Sequence, residues 1–213
     1  MAFKILIVIV STYIIGSVPF GVIIGKLWKG IDVRQFGSGN IGSANVLRTL
    51  GPIPAAIVLV GDTVKGVIGV LISRWLVPGS PSVDVLAGLG CIAGHNWSAF
   101  LKFGGGRGVA TSFGVLVGLN WRVALVALLA WTIVVAISRY ISLGSVAGGI
   151  SVPISMWCFA RELPYVVFGF AVMIFVIYRH LPNIKRLTAG QEFKIGQKIS
   201  TNNTLEKEKN KIL

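Results

Sequence analysis

Two glycine-rich loops carry the residue types that hold anions. The first reads Gly37-Ser38-Gly39-Asn40-Ile41-Gly42-Ser43-Ala44-Asn45, with Arg48 one turn further on. The second reads Lys102-Phe103-Gly104-Gly105-Gly106-Arg107-Gly108, followed by Thr111 and Ser112. Glycine lets backbone N–H groups converge on a phosphate, and a helix start behind the loop adds partial positive charge. A third segment, Tyr178-Arg179-His180-Leu181-Pro182-Asn183, runs into Lys185, Arg186 and Glu192. His180 and Asn183 are three apart, so one turn presents both to one pocket. A membrane helix is expected to end against Pro182, and Glu192, one of few acids nearby, is expected to hold a basic partner structurally. These segments point to a phosphate-bearing substrate handled at a bilayer surface.

Several other chemistries lack their residues. Gly37, Gly39 and Gly42 match the dinucleotide fingerprint, but that motif needs a preceding strand and here an apolar helix precedes it. The second loop lacks the GxxxxGK[ST] spacing, no G-x-S-x-G elbow occurs, and neither histidine belongs to a His-x4-Asp motif. Cys91 and Cys158 lie singly in apolar runs, with no Cys/His/carboxylate cluster at metal spacing. No metal and no cofactor are therefore expected. Chemistry here has to rest on positioning and electrostatic stabilisation.

The elements that position these loops are membrane helices. Of 213 residues, 54% are hydrophobic and only 13% charged, against about 25% in soluble domains, and the mean hydropathy is +0.80. The expected fold is an all-α polytopic membrane protein, a compact bundle of about seven transmembrane helices with Gly-rich cytoplasmic loops. The spans fall near 3–27, 53–77, 84–100, 108–120, 122–138, 143–160 and 163–179. Segments 84–100 and 108–120 are shorter than the ~20 residues of a full crossing. Irregular backbone beside them survives only where it lines a cavity or is buried in protein. The first run reads as a span and not a signal peptide, because it lacks a small-residue cleavage site.

Between the loops, Ser43 to Leu50 reads as a short helix with Asn45 and Arg48 on one face, closed by Gly51-Pro52. Asp62 and Lys65 lie at i, i+3 inside the second span. Such charges mark either a functional site or an ion pair that fixes packing; the structural role is the reading adopted. His95 reads as a hydrogen-bonded helix end and Trp97 as an interfacial anchor. Gly61, Gly66, Gly69, Gly144, Gly148 and Gly149 permit close helix approach, which favours a tight monomeric bundle.

Residues 1–199 form one membrane domain, and 200–213 a polar Lys/Glu-rich tail, either disordered or foreign to the native chain. With the amino terminus outside, Lys4, Arg74, Arg122 and Arg161 stay outside, Lys65 is in a span, and the other fifteen of twenty basic residues lie inside. The positive-inside rule favours that orientation, with the carboxyl terminus and all three polar segments on the cytoplasmic side. The net charge of +13 then belongs to orientation, membrane lipids and an anionic substrate, and not to nucleic acid. A transporter or binding protein for a phosphorylated metabolite or lipid is the alternative reading, weakened because no internal repeat is visible.

The segments, in this order, resemble the bacterial acyl-phosphate:glycerol-3-phosphate acyltransferases over residues ~10–198. Gly16-Ser17-Val18-Pro19-Phe20-Gly21, Gly37 to Gly42, Gly94-His95-Asn96-Trp97-Ser98 and His180-Leu181-Pro182-Asn183 carry the resemblance. It implies transfer of an acyl group from acyl phosphate to the 1-position of glycerol 3-phosphate in the bacterial inner membrane, yielding lysophosphatidic acid and phosphate. It implies a catalytic set of Ser38, Arg48, His180 and Asn183, phosphate binding by Gly104 to Gly108, and a structural Glu192. Gly39, Asn40, Ser43, Asn45, Lys102 and Arg107 are the further expected substrate contacts. Arg107 departs from the family, which commonly has Lys there; charge is kept but the planar fork differs.

Overall fold

Proline and glycine, more than polarity, punctuate this chain. The computed structural model describes residues 1–197; the expected tail at 200–213 and the domain limit at 199 lie outside the described residues. Within them, α1 (Ala2–Ser17) stops at Val18-Pro19, and α2 (Phe20–Lys29) ends on Gly30 in the left-handed region. A short helix α3 (Ser43–Leu50) follows the first glycine loop. Gly51 at φ 95° then turns the chain into α4 (Pro52–Leu76), as the Gly51-Pro52 pair leads one to expect. α5 (Pro81–Asn96), α6 (Val109–Leu119), α7 (Trp121–Ser138), α8 (Ile141–Phe159) and α9 (Leu163–Thr188) complete the bundle.

Among the described residues, five stretches are long and apolar enough to cross a bilayer: Ala2–Lys29, Pro52–Leu76, Trp121–Ser138, Ile141–Phe159 and Leu163–Thr188. α5, with 16 residues, and α6, with 11, fall short of a full crossing length. The outward residues are those lipid would cover: Trp75, Ile137 and Ile154 are 81%, 82% and 66% exposed. Water would penalise that belt at about 25 cal/mol per Å². The inward residues form a core around Val115, Val123, Met156 and Phe168.

Glycines set how closely the helices approach. At Gly16 a Cβ would sit 2.2 Å from Cys91 O, and at Gly94 2.2 Å from Tyr13 O, so α1 and α5 touch backbone to backbone. Gly66 and Gly114 do the same for α4 and α6. Close approach of this kind is how membrane helices gain packing without a hydrophobic driving force.

Two departures from the sequence reading matter for the site. The first span is not one helix: Pro19 has no N–H, and the chain breaks between α1 and α2. α9 does not end at Pro182 but runs through it to Thr188. Proline costs the helix one backbone bond, and the side-chain bonds of Asn183 and Arg186 described below act against that cost. The continued helix carries both residues onto the face that meets Glu192.

Candidate active site

The loops 30–51, 97–108, 139–140 and 189–197 gather at one end of the bundle. Arg48 stacks on the Phe193 ring at 5.0 Å, Arg179 Nη2 donates to Gly106 O, and the Ile195 amide donates to Arg139 O at 2.9 Å. The opposite end is tied separately, by Arg74 and Tyr165 to Asp84 and by Asn120 to Phe159 O.

Asn45 organises the first glycine loop. Its Oδ1 accepts from the Ser38 amide at 2.9 Å and hydroxyl at 3.3 Å, while Nδ2 donates to the carbonyls of Val33, Phe36 and Asn40. The side chain of Asn45 is thus spent on loop shape. Asn40 Oδ1 accepts from the Gly42 amide, turning the chain into α3, where Ser43 is the first residue. Gly39, at φ 68°, lies exposed on the same turn as Ser38.

The second loop folds back on the end of α5. Gly106 N–H donates to His95 O at 3.0 Å, and Ser98 N–H to Gly104 O at 2.9 Å. A Cβ at Gly105 would sit 2.3 Å from His95 O, and one at Gly108 2.6 Å from Asn96 Nδ2. These glycines are needed for close packing as well as for anion access. Among the described residues, the amides of Gly105, Arg107 and Gly108 donate to no backbone carbonyl. Lys102 is exposed and left-handed at φ 52°, at the rim.

α9 supplies the third side. His180 and Asn183 are 2% and 3% exposed. His180 Nδ1 lies 2.8 Å from Val176 O, which only a protonated Nδ1 can satisfy, so Nε2 carries the lone pair. Glu192 Oε1 accepts from Asn183 Nδ2 at 2.6 Å and Ser142 Oγ at 2.9 Å; Oε2 accepts from Arg186 Nε at 2.8 Å. Asn183 Oδ1 and Arg186 Nη2 are buried with no hydrogen-bond partner among the described residues.

Electrostatically Glu192 sits among Arg48, Arg107, Arg179 and Arg186. Burial lowers the Arg48 guanidinium pKa, with Glu192 opposing and Arg186 adding. Burial pushes Arg107 down to about 10, and neighbouring Arg186, Arg48 and Arg179 push the same way against Glu192. Cations that depress one another in this way are relieved by an anion. The expected residues Arg48, Arg107, His180, Asn183 and Glu192 are brought together. Asp62 and Lys65 are not among them: they pair at 2.7 Å within the bundle, beneath the second loop. Arg179 and Arg186 were absent from the expected set. For Arg186 the sequence signal is the expectation that Glu192 holds a basic partner, which Arg186 Nε fills at 2.8 Å.

Comparison with known proteins places this arrangement. A family profile described as glycerol-3-phosphate acyltransferase matches residues 6–190. Glycerol-3-phosphate acyltransferase 2 of Moorella thermoacetica is 48% identical over 193 residues, covering 91% of this chain and 98% of that protein. The glycerol-3-phosphate acyltransferase of Desulforamulus reducens is 44% identical over 191 residues, 90% and 95% of the two chains. The crystal structure of PlsY, an integral membrane glycerol 3-phosphate acyltransferase, in its glycerol 3-phosphate form superposes with a TM-score of 0.85 at 34% identity, covering 94% of this chain and 98% of that one. Its lysophosphatidic acid form gives 0.84 at 35%, covering 91% and 96%.

Proposed function

The chain belongs to the glycerol-3-phosphate acyltransferase family and is a membrane-embedded acyltransferase; from that premise we propose that acyl phosphate is its donor and the 1-hydroxyl of glycerol 3-phosphate its acceptor. The hydroxyl oxygen forms the new ester bond to the acyl carbon. The bond from that carbon to the phosphate oxygen breaks, and the departing phosphate takes the hydroxyl proton. The products are lysophosphatidic acid and inorganic phosphate.

The observation that carries this reading is the convergence of Arg48, Arg107 and Arg186 around Glu192, which neutralises only part of their charge. Both substrates bring phosphate, and arginine holds phosphate through paired, charge-assisted bonds. Asn183 Oδ1 and His180 Nε2 are the two acceptors in reach of such a site, and a glycerol hydroxyl is what they would bind. Acyl phosphate is an activated anhydride, so no protein nucleophile is required. Ser38 is engaged with Asn45 and borders the site as a positioning group. Glu192 is structural.

A topology belongs to the same proposal. All seven apolar segments cross, α5 and α6 as short helices, with the amino terminus outside and the site at the cytoplasmic face of the inner membrane. The donor's acyl chain enters laterally between helices, and the unit is a monomer.

Turnover tests it. Purified full-length chain in detergent should release phosphate only when acyl phosphate and glycerol 3-phosphate are both present, should keep that activity under chelation, and should not accept acyl-CoA. Glu192 is already committed to three side chains, and Asp32, the other carboxylate at this end among the described residues, is paired with Arg34. Movement of glycerol 3-phosphate into proteoliposomes without phosphate release would replace the enzyme by a carrier.

A further inference from the structure

Beneath the second glycine loop lies a charged network that the acyl-transfer chemistry does not use. Asp62, Lys65 and His95 are each 3% exposed or less. Lys65 Nζ sits 2.7 Å from Asp62 Oδ1, 2.9 Å from His95 Nδ1 and 3.1 Å from Val18 O, the carbonyl left at the break between α1 and α2. An ammonium has three protons and no lone pair. Two of its contacts, to Val18 O and His95 Nδ1, are hydrogen bonds, while Asp62 Oδ1, also 3.4 Å from Nδ1, neutralises it as an ion pair and has no hydrogen-bond partner among the described residues. As an ammonium Lys65 can only donate, so Nδ1 accepts and the ring proton resides on Nε2.

That Nε2 edge lies against the loop. A Cβ on Gly106 would sit 2.0 Å from His95 Nε2, so only glycine fits there. The backbone of the same histidine holds the same glycine, since His95 O accepts from Gly106 N–H at 3.0 Å. Arg179 Nη2 grips the other side through Gly106 O. Gly106 is therefore clamped directly before Arg107.

Stability alone is a weak reason for such a network, because a buried ion pair replaced by well-packed apolar residues is often neutral or more stable. We propose that His95, its ring oriented by the Lys65–Asp62 pair, is a positioning residue that sets the Gly104–Gly108 loop and so places Arg107 against substrate phosphate. The proposal rests on reading that loop as a phosphate site.

His95→Asn tests it in the full chain. The asparagine Oδ1 still accepts from Lys65, while the ring edge at Gly106 is lost. KM for glycerol 3-phosphate or acyl phosphate should rise about tenfold with kcat within about threefold, since misplacement of a binding group can cost up to 10²-fold. Gly106→Ala should be worse in the wild-type background than in His95→Asn, because the asparagine removes the clashing atom; distant, independent sites would simply add. Unchanged KM for both substrates in folded His95→Asn, a fall in kcat alone, or additive losses in the pair would each overturn the proposal. If His95→Asn does not fold, Lys65→Met with Asp62→Leu, which leaves no lone charge, is judged by the same KM criterion. Arg107→Ala separates the two levels: its loss of activity beside a normal His95→Asn defeats only this proposal, whereas normal kinetics for Arg107→Ala defeats the phosphate reading of the loop.

Discussion

Asn183 Nδ2 donates to Glu192 Oε1 at 2.6 Å, and that single bond decides which end of the amide faces the site. The carbonyl end, Oδ1, is left buried with no partner among the described residues. Glu192 thereby sets hydrogen-bonding sense as well as position. Glu192→Gln should keep the contacts of its carbonyl oxygen with Asn183 and Ser142 while turning an NH₂ toward Arg186, so KM for glycerol 3-phosphate should rise with little change in melting temperature. Glu192→Ala leaves buried donors on Ser142, Asn183 and Arg186 unmet, at about 1–3 kcal/mol, and should lower the melting temperature by several degrees. Equal melting temperatures and kinetics for both variants and wild type would remove the structural role of Glu192.

Arg48 approaches the site from α3 and Arg107 from the second glycine loop, and charge-assisted bonds to phosphate are worth about 1.5–3 kcal/mol each. Either residue changed to Ala should lower kcat/KM roughly tenfold or more, because 1.4 kcal/mol is a factor of ten. Arg107→Lys should be milder, since charge remains and only the fork is lost. A folded Arg48→Ala enzyme with wild-type kinetics would undo the site assignment.

The depressed pKa of Arg107 gives a pH signature with two opposite signs. Burial first, then the neighbouring arginines, bring it down from the ordinary arginine range to about 10. The charged form that holds phosphate is present below pH 10, so affinity for glycerol 3-phosphate should fall as pH rises through about 10, with proton uptake on binding near that pH. Stability runs the other way. Above about pH 10 the unfolded chain keeps a proton that the folded chain has lost, so this residue's contribution to stability grows as pH rises from there toward the ordinary arginine range. Calorimetric titration at several pH values measures the first effect. Arg107→Lys should shift the limb about two units lower, following the reference values of the two side chains. Identical profiles for wild type and Arg107→Ala would dissociate Arg107 from binding.

Local punctuation made part of this fold legible. Ser43 to Leu50 with Gly51-Pro52 behind it specified α3 and its end, because the capping glycine and N1 proline act through the residue's own backbone. The glycine loops were legible for the same reason. What escaped the reading depends on partners far along the chain. Pro182 looked like a helix stop because the bonds of Asn183 and Arg186 to Glu192 become visible only when 189–197 folds back. Val18-Pro19 passed for mid-helix because both flanks are apolar. His95 is the hydrogen-bonded helix end it reads as, but its partner Lys65, thirty residues away, is not legible from the sequence. Asn45 was read as a substrate contact, while its polar atoms turn inward to four residues of its own loop.

The proposed topology places Ser80 and Lys194 on opposite sides of the membrane. The helix connections support it: α4 and α5 join at one end beside Asp84, and the segment after α9 meets Arg139 at the other. Single cysteines at these positions, in a background with Cys91 and Cys158 replaced by Ala, should react with an impermeant maleimide from opposite faces of intact cells. Labelling of both from one face would break the seven-crossing arrangement.

His180 separates two ways of moving the hydroxyl proton. Its Nδ1 is committed to Val176 O at 2.8 Å, so only Nε2 is available to the substrate. Nε2 as general base would take the proton during attack, and His180→Ala would then cost about 10²–10⁴-fold, mainly in kcat. Nε2 as acceptor of a bond from a hydroxyl that delivers its proton to the donor phosphate would cost mainly KM for glycerol 3-phosphate. The second route is the one expected. In any productive pose the donor phosphate is bonded to the carbon under attack, so its oxygens lie closer to the reacting hydroxyl than a side chain must. Transfer to the leaving group also neutralises charge where it develops. Steady-state kinetics of folded His180→Ala with saturating acyl phosphate discriminate: a large rise in KM with kcat within about tenfold supports substrate-assisted transfer, and a kcat loss beyond 10² at unchanged KM assigns the base to His180.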